Sequence, residues 1–178
     1  DLYLRGKHLY QSLRPGRIDK AVQYFEKAIE LDPSFSAAYV SLADAIWFRA
    51  HIRMDDSLPY SFEGSRPESL LRKAIELDPR NAEAHAVIGH QLTYGLHPEA
   101  AAREIHQAEA INPNGELVLR YVARYYSDVG WPPEEGTVYA RRGLQLDPLN
   151  PLAAENVSTA YWGAQQDEAA LAAADEAL

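Results

Sequence analysis

The sequence predicts an all-α fold, an α-solenoid built from antiparallel helix pairs. First, a helical segment ending in Asp-Pro at 21–33 recurs at 70–79 and, more loosely, at 101–113 and 138–148. Second, the closing prolines are spaced 46, 34 and 35 residues apart, and a period of about 20–50 residues is typical of repeat proteins. Third, apolar residues recur three and four positions apart, as on one buried helix face. Each unit of such an array buries its apolar face against its neighbours.

Proline, glycine and capping residues divide the chain into ten predicted helices. Pro15 and the following glycine break the first helix. Asp32-Pro33 ends the second, because a residue before proline is pushed out of helical dihedrals. Asn81 and Asn150 are predicted N-caps, and Pro98 suits a first helical turn. The predicted helices are 2–13, 19–31, 37–48, 68–77, 82–94, 98–111, 116–129, one ending at 146, 151–164 and one from 167 onward.

The helices form five pairs in one domain that covers residues 1–178. The predicted repeats are about 2–33, 36–79, 82–113, 116–148 and 151–178, and because the chain stops in mid-helix we expect the last to be truncated. The second repeat is longer than the period, and we assign the excess to an inserted loop at 49–66, where Pro59 and Gly64 lie. Insertions in repeat proteins often fall on a functional face. A tolerated surface insertion is the alternative.

Composition excludes several classes of function. The formal net charge of −9 argues against binding nucleic acid or an anionic membrane. The absence of cysteine removes disulfides, thiolate nucleophiles and sulfur ligands. No apolar run approaches the ~20 residues of a membrane helix. We expect a cytoplasmic protein, with a periplasmic part of a membrane-anchored regulator as the alternative.

Small residues recur where paired helices should cross. Alanine or glycine at such points lets two helices approach to packing distance. The predicted crossing positions are Gly6, Ala21, Ala28, Ala43, Ala74, Gly89, Ala101, Ala108, Ala123, Ala170 and Ala177.

These residues resemble the tetratricopeptide repeat family. Its small–aromatic–small–proline pattern is matched by Ala21, Phe25, Ala28 and Pro33, and more loosely by the segment 101–113. The resemblance implies a right-handed superhelix of helix pairs with a concave groove. It weakens in the fourth repeat, which carries Gly136, Ala140 and Gly143, so we expect that helix to pack loosely or to be shifted.

The resemblance also implies which residues face a partner, because the first helix of each pair lines the groove in this family. The groove would accept a protein or peptide, and aromatic and arginine side chains anchor interfaces most strongly. Carried onto this chain, the partner-binding residues are Asp44, Trp47, Phe48, His90, Tyr94, Arg120, Tyr121, Arg124, Asn156 and Trp162. Arg120 and Arg124 lie four apart and would grip a carboxylate together. The alternatives are that Trp47 and Phe48 are core residues and that the arginines pair with nearby acids.

Other chemistry finds little support in the sequence. Part of the family's clamp for chaperone C-termini would be imitated by Arg120, Arg124 and Asn156, with the third contribution missing. His85, His90, His97 and His106 lack the H-E-x-x-H spacing of a zinc helix, so we predict no metal site and no cofactor. No nucleophile elbow, phosphate-binding glycine loop or cysteine–histidine pair is present, so we predict no enzyme activity.

Two functional hypotheses follow. The first is a non-catalytic scaffold that binds a protein or peptide in the groove. The second is a sensory or regulatory domain of a larger bacterial signalling protein. It rests on residues 3–7 and 43–44 and the long second-repeat loop, which resemble repeat regions appended to winged-helix regulators, adenylate cyclases or Ser/Thr kinases. The last helix, with Ala169, Leu171, Ala172 and Leu178, has no polar cap, so we expect either that a continuation of the chain covers it or that copies of the chain self-associate there.

Overall fold

The computed structural model describes residues 1–12, 14–53, 64–95, 97–129, 132 and 134–176. Across these residues every regular element is an α-helix, and there are ten. They are α1 (Leu2–Gln11), α2 (Pro15–Leu31), α3 (Ser36–Arg53), α4 (Arg66–Leu77), α5 (Ala82–Tyr94), α6 (Pro98–Ile111), α7 (Glu116–Asp128), α8 (Glu134–Leu146), α9 (Pro151–Gly163) and α10 (Asp167–Glu176). The prediction of an all-α repeat fold is confirmed.

Three predicted boundaries were wrong. The second helix begins at Pro15, since proline fits the first turn after an extended Arg14. The third continues to Arg53, because residues 49–53 contain no proline or glycine to stop it. The fourth begins at Arg66, where the Ser65 side chain accepts a hydrogen bond from the Glu68 amide. The predicted loop 49–66 is therefore helical at both ends, and its central part, 54–63, lies outside the described residues.

The same turn follows α2, α4, α6 and α8. An Asp or Asn directly follows each of these helices, and its carbonyl accepts a hydrogen bond from the amide three residues further on, as Asp32 does from Phe35 and Asp147 from Asn150. Asp32, Asp78 and Asn112 also accept, through Oδ1, the amide two residues on. The recurring Asp-Pro or Asn-Pro pair thus encodes one local structure four times.

Two asparagines tie consecutive first helices together. Asn150 accepts the Leu152 amide through Oδ1 and donates from Nδ2 to Glu116, the first residue of α7. Asn81 accepts the Ala84 amide and donates to Ser36, the first residue of α3. Each asparagine is therefore both a helix cap and a link to the preceding first helix.

The described helices belong to two compact units, Asp1–Ala84 and His85–Leu178, called here the N-terminal and C-terminal units. In the N-terminal unit α2 packs against α1 and α3, and α3 packs against α4. Its core contains Ile18, Val22, Phe25, Leu42 and Ile46. In the C-terminal unit α7 packs against α6, α8 and α9, and α9 packs against α8 and α10.

Small residues dominate one core cluster of the C-terminal unit, where Ala123, Ala140, Val157 and Ala160 are buried together. A Cβ at Gly136 would lie 2.8 Å from the Ala123 carbonyl oxygen, so α8 approaches the α7 backbone closely there. A Cβ at Gly143 would meet nothing closer than 3.8 Å. The expectation of loose packing in α8 therefore applies to its C-terminal half and not to its start.

Candidate functional site

The first helices of the C-terminal unit, α5, α7 and α9, carry most of the predicted groove residues. The rings of His90 and Tyr121 are 4.4 Å apart, and those of His90 and Tyr94 are 5.2 Å apart with an edge-on geometry. His90 and Tyr121 are buried, whereas Tyr94 is half-buried. The rings of His90, Tyr94 and Tyr121 thus form an aromatic layer between α5 and α7.

Arg120 is held over this layer. Its Nη2 donates to the Tyr121 hydroxyl at 2.7 Å, and its guanidinium carbon lies 4.5 Å from the centre of the Tyr121 ring. A guanidinium at this distance from an aromatic face is attracted to it. Arg120 is therefore oriented by its neighbour rather than freely mobile.

Arg124 lies one turn further along α7 and pairs with α9. Its Nη1 is 3.6 Å from Glu155 Oε1. Burial disfavours the charged guanidinium, but Glu155, Tyr94 and Asp128 outweigh it, so the pKa of Arg124 is raised. Burial also raises the pKa of the Asp128 carboxyl, which Arg124 only partly offsets. The proposed alternative that the arginines pair with nearby acids describes Arg124, so an incoming carboxylate would compete with Glu155.

Asn156 and Trp162 lie on α9 in very different surroundings. Asn156 is buried, and its Nδ2 donates to the Arg120 carbonyl at 3.5 Å, which joins α9 to α7. Trp162 is 71% exposed. Glu155, Thr159 and Trp162 follow the i, i+4, i+7 spacing of one helix face, so Trp162 shares its face with the partner of Arg124.

The predicted residues of the N-terminal unit are mainly packing residues. Asp44 is buried. Phe48 packs against the core, with its ring 5.9 Å from that of Tyr10 and perpendicular to it. Trp47 stacks on His51 at 5.2 Å between ring centres. The core alternative therefore describes Phe48.

The C-terminal unit also contains a cavity of about 230 Å³ at the end of the α7–α8 pair. Leu119, Ala140, Gly143 and Leu152 form its apolar part, and Leu146 lies at its edge. Its polar lining residues are Asn114, Glu116, Arg120, Asp147, Asn150 and Asn156. Only Arg120 and Asn156 of this set were predicted as site residues. The sequence did contain a signal for the cavity itself, since Ala140 and Gly143 are smaller than their counterparts in the other repeats.

The histidines do not form a metal site in the described part of the chain. His85 Nδ1 lies 2.6 Å from Glu104 Oε2 in a largely buried pair between α5 and α6. His106 Nδ1 is 3.9 Å from Glu109 Oε2 on the exposed side of α6. Among the described residues no three His, Asp or Glu side chains gather as metal ligands.

Two further predictions concern surfaces. None of the described helices combines the length and apolar character that crossing a bilayer requires. On α10, Leu171 is 70% exposed and Ala172 is exposed, while Leu178 lies outside the described residues. Self-association through α10 stays a prediction.

Comparison with known proteins points to one class of protein, the helical repeat proteins. Residues 2–35 match the family model described as tetratricopeptide repeat. The fold is similar to that of TTC0263, a thermophilic TPR protein of Thermus thermophilus, with a TM-score of 0.67 at 19% identity over 99% of this chain and 88% of that one. YrrB, described as a TPR protein with an unusual peptide-binding site, has a TM-score of 0.50 at 19% identity, covering 99% of this chain and 82% of YrrB. No curated protein sequence matches.

Human IFIT1, solved as a dimer with PPP-AAAA, is also similar, with a TM-score of 0.69 at 20% identity over 92% of this chain. The present chain spans 38% of the length of that protein. At these identities the likeness shows the fold alone. The chain is a helical repeat protein. More specifically, residues 2–35 match a tetratricopeptide repeat model, and the described helices have a tetratricopeptide-type all-α fold.

Proposed function

We propose that this chain is a non-catalytic module that binds a protein or peptide on the first-helix face of its C-terminal unit. We define this arginine–tryptophan face as Tyr94, Arg120, Arg124, Glu155 and Trp162. The observation that carries the proposal is the exposure of Trp162, at 71%, on the same side of α9 as the Arg124–Glu155 pair. Exposed tryptophan and oriented arginine side chains are the residue types typical of interface anchors.

The two arginines of this face are already ordered, which limits the entropic cost of binding a partner. Arg120 is already oriented by Tyr121, and Arg124 is already held by Glu155. Side chains that are ordered before a partner arrives lose less freedom on binding. The face is therefore better suited to a defined peptide than to non-specific association.

The charge of the chain argues against nucleic acid as the partner. The formal net charge is −9, whereas affinity for nucleic acid comes mainly from lysine and arginine contacts with phosphate. The fold shared with IFIT1 therefore carries no RNA-binding inference for this chain.

Selection of a displayed random peptide library on the purified chain tests the proposal. Affinity for a selected peptide should fall by more than about 1 kcal/mol with Trp162→Ala or Arg124→Ala, measured by calorimetry. Arg103→Ala, an exposed arginine on α6, is the matched control and should leave affinity unchanged. Unfolding midpoints of all variants show that the fold is kept. If the library yields no specific peptide, or if affinity is unchanged for Arg120→Ala, Arg124→Ala and Trp162→Ala alike, the face is not the binding site.

A further inference from the structure

The cavity of the C-terminal unit is lined by an α8 residue, Ala140, whose counterparts in the other repeats are large and apolar. The residue eight positions before the closing proline is Phe25 in α2, Leu71 in α4 and Ile105 in α6, and each is fully buried. In α8 the same position is Ala140. Ala140 and Gly143, which replaces the alanine found three positions later in the other repeats, both line the cavity. The cavity thus borders two positions at which α8 carries smaller residues than the other repeats.

The size and walls of the cavity suit one large apolar group. Leu119 and Leu152 are buried and form its wall, while Leu146 is 59% exposed at its edge. The volume is about 230 Å³. A cavity of about 150 Å³ with aliphatic walls is enough to bind benzene. A phenylalanine or leucine side chain supplied by a partner would therefore fit.

The charged lining residues of the cavity favour a cation beside that group. Its charged lining residues are Glu116, Asp147 and Arg120. Arg120 already donates to Tyr121, and Glu116 accepts from Asn150. Asp147 differs from its counterparts Asp32 and Asp78, since within the described part of the chain its carboxylate accepts no amide of its own turn. Two carboxylates against one engaged guanidinium leave a net negative charge.

We infer that this cavity is an anchor site for a partner peptide that inserts one large apolar side chain flanked by lysine or arginine. The inference rests on the proposed function, because Arg120 belongs both to the arginine–tryptophan face and to the cavity lining. The inserted side chain takes the place of the core residue that α8 lacks. The flanking cation lies against Asp147 and Glu116.

The probe is the peptide acetyl-Gly-Lys-Phe-Lys-Gly-amide, titrated into the methyl-labelled full chain and followed by NMR. We expect shifts at the methyl groups of Leu119, Leu152 and Ala140. Replacing Phe by Ala in the peptide should abolish them. Replacing both lysines by glutamate should weaken binding about two- to fivefold for each charge.

Three variants of the chain test the same contact from the protein side. Ala140→Leu restores the side chain of the other repeats and should weaken the peptide about tenfold or more, since it removes the burial of an apolar side chain. Gly143→Ala narrows the cavity at a position with room for a methyl group, so it reports on the cavity even if Ala140→Leu fails to fold. Asp147→Asn should weaken the lysine peptide about two- to fivefold and leave the glutamate peptide no weaker. Val138→Leu, exposed on α8 and outside the cavity lining, is the matched control and should bind as the wild type.

The failures of the two proposals are distinguishable. If only the cavity assignment is wrong, library-selected peptides bind and respond to Arg124→Ala, but they bind Ala140→Leu as tightly as the wild type. If the proposed function is wrong, no selected peptide responds to either variant. Equal binding of the phenylalanine and alanine probes, or no methyl shift with either, overturns the cavity assignment.

Discussion

Helices α2 and α8 occupy the same place in their repeats but fill it differently. In α2, Phe25 is fully buried, and its ring lies so close to α1 that a Cβ at Gly6 would be 2.5 Å from it. In α8, the residue at this position is Ala140, and it lines a cavity of about 230 Å³. Repeat units bury their surfaces mainly against neighbours, so one unit can lose a large core residue while the adjacent helices keep the fold. A repeat with a smaller core residue can therefore leave room for a group from outside the chain.

The beginning of α8 explains why its helix pair is not simply loose. Gly136 brings α8 against the backbone of α7 at Ala123, and Gly163 brings α9 against Ser127 of α7 at a similar distance. Close packing at these points holds the helices together, whereas the cavity lies at the other end of α8.

The largest expected effect is at Phe25. Phe25→Ala should lower the free energy of unfolding by about 3–5 kcal/mol, because it removes a fully buried ring and leaves a void. Denaturant unfolding of the variant and the wild type measures the difference. A loss below about 1 kcal/mol would mean that α2 tolerates an absent ring as α8 does, and the contrast between the two helices would disappear.

Two glycines of α8 provide a matched pair. Gly136→Ala should destabilise the chain by about 1–3 kcal/mol, since its Cβ would lie 2.8 Å from a backbone oxygen. Gly143→Ala should instead stabilise it by about 0.5–1 kcal/mol, because the methyl group has room and alanine is the better helix former. Thermal unfolding of both variants shows whether each substitution raises or lowers the stability of the chain. The same sign for both would contradict a helix that is tight at one end and open at the other.

The asparagine links between first helices should contribute less to the free energy of unfolding than the core residues above. Asn150→Ala loses the cap on Leu152 and the bond to Glu116, and should cost about 1 kcal/mol. The seventh helix has Gly115 at this position, where a Cβ would lie 2.9 Å from the Asn112 side chain. Gly115→Asn should therefore not stabilise the chain. Denaturant titrations of the two variants compare these sites directly, and a stabilised Gly115→Asn would show that the clash is avoidable.

Local signals in the sequence predicted the helices well, because prolines, caps and apolar spacing act within a few residues. Asn81, Pro98 and Asn150 lie at helix starts as expected. Helix α3 was predicted to be shorter than it is, because its regular apolar spacing ends before its helix-forming residues do. The closing turns repeat because Asp-Pro and Asn-Pro determine them locally.

The candidate site depended on contacts between helices that no spacing reveals. The pairing of Arg124 with Glu155 joins residues on different first helices, and the burial of His90 and Tyr121 comes from their packing on each other. Sequence spacing could place these residues on a face but could not say which were accessible. Trp162 was identified and is exposed, whereas Asp44 and Asn156 were identified and are buried. Ala140 and Gly143 were interpreted only as a weaker match to the repeat pattern. Because both are smaller than their counterparts, they could also have predicted a cavity.

The most direct test compares a side chain supplied by the protein with one supplied by a peptide. Unfolding free energies are measured for the wild type and for Ala140→Leu, each with and without the lysine–phenylalanine peptide. We predict that a concentration of about 100 times the dissociation constant stabilises the wild type by about 2.7 kcal/mol. We also predict that Ala140→Leu is more stable than the wild type without peptide and gains little from it. Equal stabilisation of both chains by the peptide, or a less stable Ala140→Leu, would contradict the assignment of the cavity as the place of a missing side chain.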